Sequence, residues 1–382
     1  MMKVVTLATF LILSLQTCFA KEIRHLMRSP QALLMGDAFT ARADDEYTLF
    51  YNPAGLGRNS GAQIKLINPN IGVTNALDEL DRFEDFPSSD ASAISQRLMG
   101  FPVFVQLGAT PTMKIGPFGF NLFANSTTSL SLRNATHPAL DVDYRLDRGF
   151  IFGFAYSVGS GGSADLFKLK SDRGPKSGKR CSYGIGIKHM NRQGLKNKFD
   201  VFSVELLNTI ANGVDSYSDL RDALGFSKGK GWGGDLGLDC SVGGPMGELS
   251  FGASILDVFD TKFIKSSGDY DIPRQDMYIN TGVAWKQDFG IFDYALSFDL
   301  HPINEPIEFG QMAHFGLEVG IPLIRAYGGW NGGYISYGAK FNVWPFEITA
   351  GFYGVELGSN FKEQKGSRAV IHLSLLDIEF DL

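Results

Sequence analysis

Residues 276–300 read DMYINTGVAWKQDFGIFDYALSFDL. Ile279, Thr281, Val283 and Trp285 fall on one face, and Asn280, Gly282 and Ala284 on the other. After the turn QDFG, the residues Phe292, Tyr294, Leu296, Phe298 and Leu300 share a face, with Asp293, Ala295, Ser297 and Asp299 opposite. A period of two marks a β-strand, because successive side chains point to opposite sides of a pleated sheet. Stretches of about ten such residues, aromatic on one face and small or polar on the other, suit the wall of an outer-membrane barrel. The apolar face would then meet lipid and the polar face would line a lumen.

The pattern recurs along the chain. It predicts fourteen strands near 61–67, 102–109, 117–126, 149–158, 181–191, 232–242, 248–257, 277–286, 292–300, 312–320, 323–330, 335–343, 346–354 and 369–380. An even count with both termini in the periplasm puts short turns at 344–345, 321–322, 287–291, 243–247 and 110–116. Longer outer connections then fall at 355–368, 301–311, 258–276, 192–231, 127–148 and 68–101. The outer turn near 331–334 is brief, and 159–180 is a long basic stretch on the short-turn side. Residues 139–146 (ALDVDYRL) alternate as well, which leaves open a slip of one strand around 127–158. Residues 74–99 are acidic, and 199–224 have apolar residues at helical spacing; both read as caps over a pore mouth, or as a docking gate.

Composition agrees with a barrel. The 382 residues include 45 glycines and 31 phenylalanines, with a formal net charge of −6. Glycine weakens ordinary strands, so its abundance needs a wall with little bulk on one side. The charge gives no indication of nucleic acid. Residues 1–20 carry Lys3, an apolar run from Val4 to Leu15 and small residues at Cys18 and Ala20, which predicts a cleaved export signal. No later stretch is long and apolar enough for a spanning helix. Cys181 and Cys240 remain after cleavage. Both lie on apolar faces at the periplasmic ends of neighbouring predicted strands, which makes them either a candidate disulfide in an oxidising compartment or two separate buried or lipid-facing thiols, since the register is not given by the sequence.

Residues 32–58, ALLMGDAFTARADDEYTLFYNPAGLGR, do not alternate. Gly36 and Gly55 permit left-handed backbone, Asp44 and Asp45 are candidate caps, and Asn52-Pro53 starts a turn. Such a segment ahead of a barrel is most simply placed inside it, where lumen side chains can meet its backbone. The reading is a signal over 1–20, a plug over 21–60 and a barrel over 61–382. Here MGDAFTARADD (35–45) and LFYNPAGL (49–56) resemble the N-terminal signature of barrels related to the FadL-type long-chain fatty acid transporters and the PorV-type proteins, written MGGAFTALADD…YWNPAGL. The match runs over Met35, Gly36, Ala38, Phe39, Thr40, Ala43, Asp44, Asp45, Asn52, Pro53, Ala54, Gly55 and Leu56. Asp37 and Arg42 depart from it. GWGGDLGLDC (231–240), LSFGASILDVF (249–259) and YGVELG (353–358) are similar to the PorV-type branch.

The resemblance implies a fourteen-stranded, plugged all-β barrel in the bacterial outer membrane. It implies either inward passage of a hydrophobic small-molecule ligand such as a fatty acid, or a closed lumen serving a secretion-system protein. Plug or gating roles would fall to Met35, Gly36, Asp44, Asp45, Asn52, Pro53, Ala54 and Gly55. The alternation turns Asp235, Asp239, Glu248, Asp293, Asp299, Glu318 and Glu347 inward. Lys188, Arg325, Lys340, His314 and His372 are their candidate counter-charges, because a charge facing lipid is costly. Trp232, Trp285, Trp330, Trp344, Tyr183, Tyr278, Tyr294 and Tyr337 are read as lying near strand ends or on the lipid face. The histidines are scattered, and no HExxH, GxSxG, Walker or dinucleotide pattern occurs in usable context. The expectation is a monomer in outer-membrane lipids with no enzymatic activity, cofactor, metal or nucleic-acid partner.

Overall fold

The computed structural model describes residues 22–58, 61–77, 81, 84, 97–133, 139–159, 178–200, 225–268 and 270–380. The predicted export signal, most of the acidic stretch 74–99, the basic stretch 160–177 and the helical spacing over 201–224 lie outside these residues.

The described strands run in chain order. They are β1 (Ala62–Ile67), β2 (Pro69–Thr74), β3 (Val103–Ala109), β4 (Thr112–Ile115), β5 (Phe118–Arg133), β6 (Ala139–Gly159), β7 (Gly178–Asp200), β8 (Ser227–Gly244) and β9 (Gly247–Leu256). There follow β10 (Ile264–Ser267), β11 (Tyr278–Asp288), β12 (Asp293–Leu300), β13 (Ala313–Ile321), β14 (Ile324–Asn331), β15 (Tyr334–Val343), β16 (Phe346–Glu356) and β17 (Lys365–Phe380). Antiparallel pairing passes from neighbour to neighbour, and β17 closes the sheet onto β1 and β2. β1 and β2 form one spanning strand interrupted at Asn68, and β3 and β4 another interrupted at Thr110-Pro111. Proline cannot donate to a ladder. At this break the Asn68 side chain donates to Thr110 O at 2.7 Å and accepts from Thr110 N at 3.0 Å, replacing the missing rungs. β10 pairs only with β8 in the connection before β11. The wall is therefore a closed antiparallel barrel of fourteen spanning strands. Closure leaves no edge.

Fourteen strands at these positions match the sequence reading, but the outer connections are shorter than the alternation predicts. Much of 127–148 is strand: β5 and β6 pair without interruption from Phe118↔Phe154 to Arg133↔Ala139. Residues 139–146 thus extend β6 and add no strand, so no slip occurs. Likewise β7 continues to Asp200, and β8 starts at Ser227. A spanning strand needs only ~9–11 residues. The 21 residues of β6 and 23 of β7 therefore carry this side of the wall beyond the membrane.

The barrel is inside out relative to a soluble protein. Ile185, Ile187, Phe251, Phe298, Phe315, Phe341 and Ile348 are among many exposed apolar side chains on the outer face. Asn121, Ser182, Ser254, Ser297, Ser336, Thr349 and Ser374 are buried on the inner one. That is the construction of an outer-membrane barrel. Tyr278 lies at a strand end, the first residue of β11, but faces inward. It is 1% exposed, shares the inner row with Asn280 and Ala284, and directs its hydroxyl at Arg24 O, 3.4 Å away. A phenol on the first inward position of β11 finds a carbonyl there, so burial leaves its donor satisfied. Cys181 and Cys240 are direct partners across β7 and β8 and form a disulfide, with Cα atoms 4.0 Å apart.

Leu296 lies outward in the middle of β12. Leu296→Arg is expected to cost about 2–4 kcal/mol in a urea titration of folding into vesicles. Ala295→Ser on the inner row should cost far less, and equal losses would contradict the facing assigned here.

Candidate functional site in the barrel lumen

Residues 22–58 lie against the inner face of the wall. Helix Pro30–Leu34, capped by the Ser29 side chain, packs on β14 to β17, and the 3-10 helix Pro53–Arg58 packs on β6, β7 and β8. This close approach depends on glycines pointing inward. A methyl group on Gly316 would lie 2.6 Å from Met35 O, and one on Gly252 would lie 2.6 Å from Ala41 Cα. Methyls on Gly338 and Gly351 would meet the Leu34 side chain at 2.5 Å. Gly36 faces the wall from the other side. Its φ is +64°, and a Cβ there would meet Phe315 O and Trp330 N at 2.5 Å each. The position therefore excludes other residues both by backbone conformation and by space.

Wall side chains then bind the segment's backbone. Asp299 accepts from Phe39 N at 2.8 Å and Thr40 N at 2.6 Å. His314 Nδ1 contacts Gly36 O at 2.9 Å, and His301 Nε2 contacts Asp37 O at 3.0 Å. Asn52 donates to Thr40 O and to Leu238 O, each at 3.0 Å, and accepts from Ala54 N at 3.1 Å, joining the Asn52–Gly55 turn to β8. Asp45 accepts from Tyr47 N at 2.8 Å, so it holds a turn, while Asp44 sits 3.9 Å from Arg42. Burial, then the neighbouring Glu46 and Asp44, push the Asp45 carboxyl up to about 8.

Apart from Asp299, which takes backbone donors, the lumen acids named from the sequence are engaged in ion pairs. Arg42 meets Glu318 at 2.8 Å, Arg325 bridges Asp293 (2.7 Å) and Glu318, and Lys340 meets Glu347 at 2.9 Å. Lys188 lies 2.7 Å from Asp235 and 2.9 Å from Asp257, and Arg58 pairs with Asp239. Glu46 of the segment reaches Lys65 and His372, each at 3.2 Å. The named residues thus divide into three places. Met35 and Gly36 lie on β13 and β14, the Asn52–Gly55 turn lies on β7 and β8, and Asp44 and Asp45 lie between them.

Towards the long-loop end, the segment and the wall enclose a cavity of about 420 Å³. Apolar walls come from Met27, Leu33, Phe104, Ile307 and Val355. Five arginines, Arg24, Arg28, Arg145, Arg192 and Arg368, line it against four acids, Glu22, Asp37, Asp147 and Glu356. Arg368 grips Glu22 at 2.6 and 3.0 Å, with its guanidinium 3.6 Å from the Phe104 ring centre. Arg192 holds Asp147 at 2.6 and 2.9 Å. His301 and His314 stack with ring centres 3.8 Å apart. Beside them His25 leaves Nε2 buried without a partner. Burial, then Arg28, hold the His25 imidazole well below its usual range, so it is neutral at pH 7. Among the described residues, no group of three or more His, Cys, Asp or Glu side chains could hold a metal.

These arginines were absent from the sequence reading. Arg145 and Arg192 fell in stretches taken for outer loops, where inward parity has no meaning. The uninterrupted alternation of 139–159 was the signal that could have recovered Arg145.

No family model matches the chain, and no curated protein matches it. Several solved barrels are similar in structure. The Pseudomonas putida toluene transporter TodX aligns over 93% of this chain and 100% of its own, with 12% identity and a TM-score of 0.42. The monoaromatic hydrocarbon channel CymD covers 90% and 96% at 11% identity and TM-score 0.39. The Ralstonia pickettii toluene transporter TbuX covers 92% and 98% at 11% identity and TM-score 0.39. At such identities the side chains around the cavity are this chain's own and are read on their own chemistry.

Asn52→Ala removes three hydrogen bonds within the lumen and is expected to destabilise the segment by about 1–3 kcal/mol. The unfolding midpoint followed by heat-modifiable gel mobility should fall. Cells carrying the variant should become more sensitive to a large antibiotic normally excluded by the outer membrane. An unchanged midpoint and unchanged sensitivity would remove this turn as the anchor.

Proposed function

We propose that this barrel passes small molecules with an apolar body and an acidic head across the outer membrane, long-chain fatty acids among them, and that residues 22–58 act as its plug. The supporting observation is the cavity over that segment. Its volume falls within the roughly 300–1,000 Å³ usual for small-molecule sites. It combines apolar wall with five guanidinium groups, each held beside an acid. Such a lining suits a ligand that buries hydrocarbon against Met27, Leu33 and Phe104 while its carboxylate accepts from guanidinium groups. The N-terminal resemblance to FadL-type barrels points the same way. Displacement of the Asn52–Gly55 turn from β7 and β8 would open the route beyond the cavity.

A second reading, a PorV-type binding protein with a permanently closed lumen, draws support from how firmly the segment is tied. Glu46, Asp239 and Asp299 each make several bonds between segment and wall.

Uptake of radiolabelled oleate by cells with and without the chain separates the two. Transport predicts faster uptake with the chain, oleate binding by the purified barrel, and loss of both in Val355→Trp, which fills the cavity. Equal uptake in all cells, with a protein that co-purifies in stable proportion, would instead establish the closed-lumen reading.

A further inference from the structure

The outer wall carries a second constellation, on β6, β7 and β8 near the long-loop end. Phe150, His189 and Trp232 stand directly opposite one another on these three strands. Their rings form one cluster on the lipid-facing surface. Centres are 5.7 Å apart for Phe150 and His189, 4.8 Å for His189 and Trp232, and 5.9 Å for Phe150 and Trp232. Trp232 is 63% exposed. From this row towards the short-turn end the outward positions are apolar, with Phe152, Tyr156, Ile187, Ile185, Leu236 and Leu238 exposed. From Phe150 to Val158 β6 counts nine residues, the length that crosses a bilayer core. The aromatic row therefore marks the depth at which hydrocarbon ends and headgroups begin.

The next outward row away from the membrane is Arg148, Asn191 and Lys230. Arg148 and Lys230 are exposed, and β10 brings Ile264 opposite Lys230. Lys262 is exposed two residues before Ile264, and Lys228 lies one row higher. Strands are about 4.8 Å apart, so Arg148 and Lys230, two strands distant, are separated by roughly 10 Å. Among the described residues Arg148, Lys230 and Lys262 have no ion-pair partner. The acids of the adjoining loop are turned elsewhere, Asp260 to Arg274 at 3.3 Å and Asp271 to Lys265 at 4.0 Å. On β11 to β16 the lysines and arginines are Lys286, Arg325 and Lys340, all on lumen-facing rows. On this sector Arg148, Lys230 and Lys262 thus form a group of exposed cations, within about one row of the aromatic belt, that have no ion-pair partner among the described residues.

We infer that Arg148, Lys230 and Lys262 bind the phosphates of an anionic lipid headgroup in the outward-facing leaflet, with its acyl chains lying on Phe150, Trp232 and the apolar rows beneath. Charge complementarity selects a lipid whose phosphates leave it net negative over a zwitterionic one, because each exposed cation at the surface adds attraction for anionic headgroups. The apolar rows below select a lipid over free phosphate. This site lies on the outside of the wall and does not rest on transport through the lumen.

The test is native mass spectrometry of the full-length detergent-solubilised barrel with diphosphoryl lipid A, phosphatidylcholine or inorganic phosphate as probe. The wild type is expected to retain lipid A adducts in preference to phosphatidylcholine and to hold them against excess inorganic phosphate. The R148Q/K230Q/K262Q variant should bind lipid A roughly tenfold or more weakly, with phosphatidylcholine binding unchanged, and R148K/K230R/K262R should restore it. Heat-modifiable mobility would verify that each variant is folded. Equal lipid A binding by the wild type and the glutamine variant would overturn the proposal, as would displacement of lipid A by inorganic phosphate.

Discussion

The lumen depends on the absence of side chains at chosen inward positions. A polypeptide lying against a sheet normally meets a layer of Cβ atoms. Here Gly119 and Gly153 receive Leu49 and Leu56, Gly184 and Gly237 receive the Asn52–Ala54 turn, Gly252 receives Thr40-Ala41, and Gly316 and Gly329 receive Met35-Gly36. These glycines belong to strands around most of the wall, so the segment sits in a channel cut into its inner surface. Close approach then puts Asp299 and His314 within hydrogen-bonding distance of backbone that would otherwise be buried without partners, and the Leu238 carbonyl within reach of the Asn52 side-chain amide. Glycine weakens strands individually, but a closed barrel returns that loss through ladder bonds on both sides of every strand.

Electrostatics follow from the same geometry. Inward charges cannot reach bulk water through the lipid face, so each is stable only beside an opposite charge or a donor. Glu318 accordingly touches Gln31 and Arg42 of the segment and Arg325 of the wall. Lys65 sits among Glu46, Asp377 and Glu347. Both networks include members from the segment, so the wall's charge balance is complete only with that segment in place.

The strand count, the face assignment of most strands and the position of the closing strand were legible because alternation is strong wherever one face meets lipid. Beyond the membrane that requirement lapses. The outward positions Ser126 and Thr128 of β5 are polar, so the periodicity fades there although the strand continues to Arg133. Pro69 and Pro111 had a similar effect, ending the apparent strands at 67 and 109 although the wall continues past both. The cavity stayed hidden for the same reason. Its arginines come from the extended parts of β6 and β7, from the start of β17 and from residues 22–28, all outside the strand ranges that the apolar alternation marks. Tyr278 shows the converse limit, an aromatic at a strand end that satisfies its hydroxyl inside.

The bond between Cys181 and Cys240 joins positions 59 apart in sequence. It makes everything from 182 to 239, including the long connection between β7 and β8, a covalent ring. A protease acting at the cell surface on that connection would nick the chain without releasing either piece. The two halves would stay linked through sulfur as well as through the shared sheet, until a reductant reached the opposite side of the membrane.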